Sequence, residues 1–104
     1  MWTLNEGIAV CQTLDPLLRP HNAFVALTGS VLHKGASEKD LDIVIIPLKN
    51  ELTITQHTAI CKLFSQLYKF VKVVNTAKYY DDKYVEVYQT STGKRIDVFF
   101  TKLE

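Results

Sequence analysis

Two aspartates stand one residue apart at the head of an apolar run, Asp40-Leu41-Asp42-Ile43-Val44-Ile45-Ile46-Pro47. Charge beside a buried run is costly unless something neutralises it, and the options are a metal ion, a basic side chain or solvent at a strand end. The run reads as a strand, in which residues two apart project from one face. Asp40 and Asp42 therefore point together, while Leu41 and Ile43 point into a core. Two such carboxylates repel, and a cation between them relieves the repulsion. Oxygen donors so arranged suit Mg²⁺ or Mn²⁺, hard cations that take one or two carboxylates together with substrate phosphates. Paired metals of this kind stabilise the attacking and leaving oxygens of an in-line displacement. Alone, Asp-x-Asp is more often a solvated strand end.

Other residues add to this pattern. Gly29-Ser30 closes an earlier apolar run, Asn22–Gly29. Glycine there lets backbone approach a ligand closely, a following helical turn would aim N–H groups at an anion, and the Ser30 hydroxyl can donate to a phosphate oxygen. Gly-Ser is also a common turn. Far along the chain, Arg95-Ile96-Asp97-Val98-Phe99-Phe100 sets Asp97 between apolar residues. A strand lying beside the first would bring Asp97 to the aspartate pair as a third oxygen ligand or as a base for an incoming hydroxyl. Arg95 shares its face and could orient it, or the two form an ordinary ion pair at a solvated edge. Glu86, between Val85 and Val87, is the rival acid. Its strand is less apolar, so Glu86 is expected to be half-exposed and Asp97 is preferred.

The elements that must hold these residues follow from periodicity. Thr3-Leu4-Asn5-Glu6 has the form of a capping box, and Leu4, Ile8, Cys11, Leu14 and Leu18 recur at helical spacing. This helix is expected to bend or stop near Asp15-Pro16 and to be finished by Pro20. Asn22–Gly29 is a buried strand, Ser30 to Lys39 a loop with one helical turn, and Asp40–Pro47 the second strand. From about Thr53 to Phe70 a longer helix places Ile54, Cys61, Phe64, Leu67, Tyr68 and Val71 on one face. The run 70–77 fits either a helix extension or a short strand, and Tyr79-Tyr80-Asp81-Asp82 reads as a polar turn. The last two strands, around Lys83–Thr90 and Lys94–Thr101, flank Ser91-Thr92-Gly93 as a hairpin. The expected fold class is α/β (α+β): a small mixed β-sheet with helices packed on it, ending in a β-hairpin.

The totals bound the function. A chain of 104 residues, 47% apolar and 22% charged, is expected to form one globular domain over 1–104. Twelve basic against eleven acidic residues leave a net charge of +1, too little for a histone-like grip on nucleic acid. Cys11 and Cys61 are expected as small buried hydrophobes in a reducing cytoplasm. Neither they nor His21 and His57 are read as having metal-ligand spacing. No signal peptide and no membrane-spanning run is expected.

Taken in order, Leu27-Thr28-Gly29-Ser30, a gap of nine residues, Asp40-Leu41-Asp42-Ile43, and later Ile96-Asp97-Val98 resemble the DNA polymerase beta-like nucleotidyltransferase superfamily. The resemblance runs from about Phe24 to Phe100 and implies a minimal nucleotidyltransferase-like fold. It implies that Asp40 and Asp42 hold two divalent metals (Mg²⁺ or Mn²⁺), that Asp97 binds one and helps activate the acceptor hydroxyl, and that Gly29-Ser30 cradles a nucleoside triphosphate. A nucleoside monophosphate would pass to an acceptor hydroxyl with release of pyrophosphate. The acceptor could be an RNA 3′ end, a protein hydroxyl or a small molecule. Many small bacterial relatives carry Gly-Ser-x-Ala-Arg-Gly after the first strand. Here Gly29-Ser30-Val31-Leu32-His33-Lys34-Gly35 lacks that arginine, leaving His33, Lys34 and Lys39 as the cations near a phosphate. The helical domain that grips base and acceptor in larger relatives has no counterpart in the sequence, which suggests that a protein partner or a second copy supplies that wall. The alternatives are a non-catalytic nucleotide- or partner-binding module of the same fold, as an antitoxin or regulatory subunit, and a purely structural domain.

Overall fold

The structure, a computed structural model, describes residues 1–67, 71–72, 78–80, 83–90 and 92–104. The elements in order are β1 (Trp2–Thr3), α1 (Leu4–Leu18), a 3₁₀ turn (Arg19–His21), β2 (Ala23–Thr28), α2 (Gly29–Lys34), β3 (Ala36–Ser37), β4 (Asp40–Pro47), α3 (Ile54–Leu67), β5 (Val71–Lys72), β6 (Lys78–Tyr80), β7 (Lys83–Gln89) and β8 (Arg95–Thr101). Strands β2, β4, β8, β7 and β5 lie side by side, with β6 also on β7. The β4–β8 pair is parallel and the other pairs are antiparallel, so the sheet is mixed, as expected. A separate small ribbon joins β1 to β3.

The alternation of β4 sorts the sheet into two faces. Leu41, Ile43, Ile45 and Pro47 are buried, while Asp40, Asp42, Val44 and Ile46 are only partly so. Register carries Ile96, Val98 and Phe100 of β8 onto the buried face beside Leu41, Ile43 and Ile45. Leu14 and Leu18 of α1 and Ile60 and Phe64 of α3 join this apolar core. Asp40, Asp42 and Asp97 are left on the other face.

Helix α1 begins where its capping box placed it: the Thr3 hydroxyl accepts from the Glu6 N–H, and the Glu6 carboxylate accepts from the Thr3 N–H at 3.0 Å. It does not stop at Asp15-Pro16 but continues to Leu18. Fully buried Leu14 and Leu18 anchor the last turn in the core on either side of Pro16. The carbonyl that the proline ring opposes belongs to solvent-exposed Gln12. Where a loop with one turn was expected, α2 forms a six-residue helix closed by Gly35 at φ 81°. Ile54, expected on the buried face of α3, is 69% exposed, and Ile60 takes its place in the core. The hairpin β7–β8 forms with Gly93 at φ 86°. Tyr79 and Tyr80 belong to β6 rather than a turn. Tyr68, residues 73–77, Asp81-Asp82 and Ser91 lie outside the described residues. Among the described residues, no helix is long and apolar enough to cross a membrane.

Candidate active site

The three aspartates meet because β4 and β8 run parallel. Asp42 is the register partner of Asp97, and Asp40 is the partner of Arg95. On the other side of β4, Asp42 faces Thr28, the last residue of β2, beside which the chain turns into α2 at Gly29. Asp42 is half-buried and its carboxyl is pushed up to about 6, by desolvation first and then by the charges of Asp97 and Asp40. Burial and like charge thus act together to disfavour ionisation of Asp42. The buried Oδ1 of Asp40 accepts no hydrogen bond, and the Arg95 Nε stands 3.6 Å from it. Arg95 thus sides with Asp40, whereas the sequence coupled it to Asp97. Oxygen donors of this charge are chemically suited to a hard divalent cation, although, among the described residues, the ligand atoms drawn within 4.8 Å of one another are those of His57, Cys61 and Glu86 on the other face.

Gly29 is required by the geometry. Its φ is 70°, and a Cβ there would lie 2.0 Å from Oδ2 of Asp42. No side chain larger than hydrogen leaves Asp42 where it is. Ser37, two residues past Gly35, holds the head of β4 by accepting from the N–H groups of Lys39 (3.3 Å) and Asp40 (3.2 Å).

Two concavities share Asp42. One, of about 410 Å³, is lined by Ser30, Lys34, Ser37, Lys39 and Asp40 as well as Asp42, so the hydroxyl and both lysines singled out in the sequence flank the aspartates on one side. The other, of about 230 Å³, is lined by Thr28, Gly29, Val44, Lys83 and Phe99 together with Asp42. Lys83 and Phe99 were missed in the sequence. Their signal was the alternation of the hairpin: Lys83 pairs with Thr101 and Val85 with Phe99, on the face that carries Asp97.

Glu86 is corrected most sharply. It is fully buried, not half-exposed, and it projects to the helix-covered face, opposite Asp97. The His57 Nε2 lies 2.5 Å from its Oε2, the Cys61 thiol donates to Oε1 at 3.5 Å, and the Tyr88 hydroxyl donates to Oε1 at 3.0 Å. The neighbouring Cys61 sulfur and Glu86 carboxylate push the His57 imidazole up to about 9, against the effect of burial. His57 and Cys61 therefore do have metal-spaced partners. The overlooked signal was their separation of four on a helix, which places both on one face.

No protein-family model matches the chain, and no curated protein matches it. Among solved structures, that of a cytoplasmic RNA terminal U-transferase superposes on 93% of this chain with a TM-score of 0.64 at 16% identity. The likeness is one of fold: the mixed sheet with helices packed on it is shared with that structure. The chain spans 28% of that protein's chain.

Proposed function

We propose that the protein is a metal-dependent nucleotidyltransferase that moves a nucleoside monophosphate from a nucleoside triphosphate to an acceptor hydroxyl. The observation that supports this most is the convergence of Asp40, Asp42 and Asp97 on the open sheet face beside the Gly29 turn. Asp40, Asp42 and Asp97 would hold Mg²⁺ or Mn²⁺, which when bound offsets phosphate charge and polarises the reacting oxygens. Ser30, Lys34 and Lys39 hold the triphosphate in the polar concavity, with hydroxyl donation from Ser30 and charge from the lysines. Thr28, Val44 and Phe99 offer the nucleoside an apolar wall on the other side of Asp42. The acceptor oxygen bonds to the α-phosphorus as the bond to the pyrophosphate oxygen breaks, and the hydroxyl proton passes to an Asp97 carboxylate oxygen.

The similar solved structure is that of an RNA terminal U-transferase, so UTP and an RNA 3′ hydroxyl are the first pair to test. The experiment is thermal unfolding with each nucleoside triphosphate and Mn²⁺, followed by transfer to labelled RNA, on the unsubstituted chain and on Asp40→Asn/Asp42→Asn. The expected result is a rise in Tm that needs metal and nucleotide together and is absent from the double variant, with transfer lost in Asp42→Asn alone. A metal- and nucleotide-dependent rise without transfer to any acceptor would favour a non-catalytic binding module. No rise with any triphosphate would remove the reading.

A further inference from the structure

On the opposite face of the sheet, we infer that His57, Cys61 and Glu86 form a second metal site, selective for a zinc-like divalent ion. His57 and Cys61 come from successive turns of α3, and Glu86 comes from β7, which lies against it. The imidazole nitrogen, the thiol sulfur and a carboxylate oxygen lie within 4.8 Å of one another. Around Zn²⁺, with bonds of roughly 2.0–2.3 Å, tetrahedral ligand atoms stand about 3.3–3.8 Å apart. Cys61 Sγ already lies 3.5 and 3.7 Å from the two Glu86 oxygens. The His57 Nε2 lies 2.5 Å from Glu86 Oε2, and the two would part by roughly 0.8 Å to reach the spacing of tetrahedral ligand atoms around a metal.

Charge and surroundings agree with that exchange. A thiolate, a carboxylate and a neutral imidazole around a divalent ion sum to zero, which suits a site where Glu86 has no solvent exposure. Sulfur and imidazole select zinc-like ions over Mg²⁺. The Tyr88 hydroxyl fixes Oε1 from behind, as an outer-shell donor to a ligating carboxylate does. The His57 ring is held edge-on by Tyr84 and Phe100. A cavity of about 240 Å³ lined by Thr53, His57, Tyr84 and Leu103 opens beside the imidazole, the side from which an ion would reach the cluster.

Cobalt(II) titration, with Co²⁺ standing for Zn²⁺, tests this on the full chain and on Asp40→Asn/Asp42→Asn, where the oxygen site is disabled. A near-ultraviolet thiolate-to-cobalt band reaching one equivalent in both chains, bleached by Zn²⁺, is the expected result. Cys61→Ser abolishes the band and Cys11→Ser keeps it. Absence of the band from the folded, unsubstituted chain overturns the inference without reference to any variant, and so does a band that survives Cys61→Ser. Neither result touches the nucleotidyl-transfer reading, which concerns the other face.

Discussion

At the scale of single residues, Asp42 decides the behaviour of the open face. Its pKa rises from the ordinary 3.8 to about 6 in the folded chain, so the folded state holds this proton more tightly than the unfolded state does. The associated stability is complete below about pH 4 and is lost as pH rises through about 6. In the presence of a chelator, Tm should therefore decline across that window, and the decline should be smaller in Asp42→Asn. Saturating Mn²⁺ should reverse the trend, because the cation takes the proton's place. Gly29→Ala forces a left-handed φ on alanine at a cost of about 1–2 kcal/mol and drives a methyl group into the Asp42 carboxylate. Denaturant unfolding should register the first effect, and a fall in nucleotide transfer of at least roughly tenfold the second. The three aspartates were legible in the sequence because a strand's two-residue period is unambiguous beside an apolar run. Glu86 was misread because two of its partners, His57 and Cys61, come from α3, twenty-nine and twenty-five residues away, and no local pattern announces them.

At the scale of elements, β4 is the hinge of the design, paired to β2 on one side and β8 on the other. Its inward residues weld helices to sheet and its outward residues carry charge. Ile43→Ala, in the fully buried row, should cost about 2–5 kcal/mol in chemical denaturation. Ile54→Ala, on the exposed side of α3, should change stability by less than about 0.5 kcal/mol. Strand positions and the capping box of α1 could be read from the chain because local chemistry sets them. The passage of α1 through Pro16 could not, since it depends on Leu14 and Leu18 being gripped by a core that is distant in sequence. Likewise, the parallel alignment of β4 and β8 that assembles the aspartates is a property of topology. The sequence offered the adjacency of the two strands as one possibility, and the ordered resemblance of its motifs favoured it.

At the scale of the whole molecule, one central sheet separates two polar sites of opposite character. Oxygen donors gather on the open face, and nitrogen, sulfur and a buried carboxylate gather under the helices. Separation by the sheet predicts independence: the Tm increments produced by Mn²⁺ with nucleotide and by Zn²⁺ should add when both are present. A shortfall in the sum would reveal coupling through β8 and β7. The two ends of the chain also meet. The Trp2 indole N–H donates to the Arg95 carbonyl at 2.8 Å, and the Lys94 ammonium sits 4.7 Å from the ring centre. Trp2 is the chain's one tryptophan, is 5% exposed, and is bonded two residues upstream of Asp97. It is therefore a built-in optical gauge of the head of β8: if metal and nucleotide bind beside Asp97, its fluorescence should shift without any attached dye, and an unchanged spectrum at saturation would show that the indole does not sense that face.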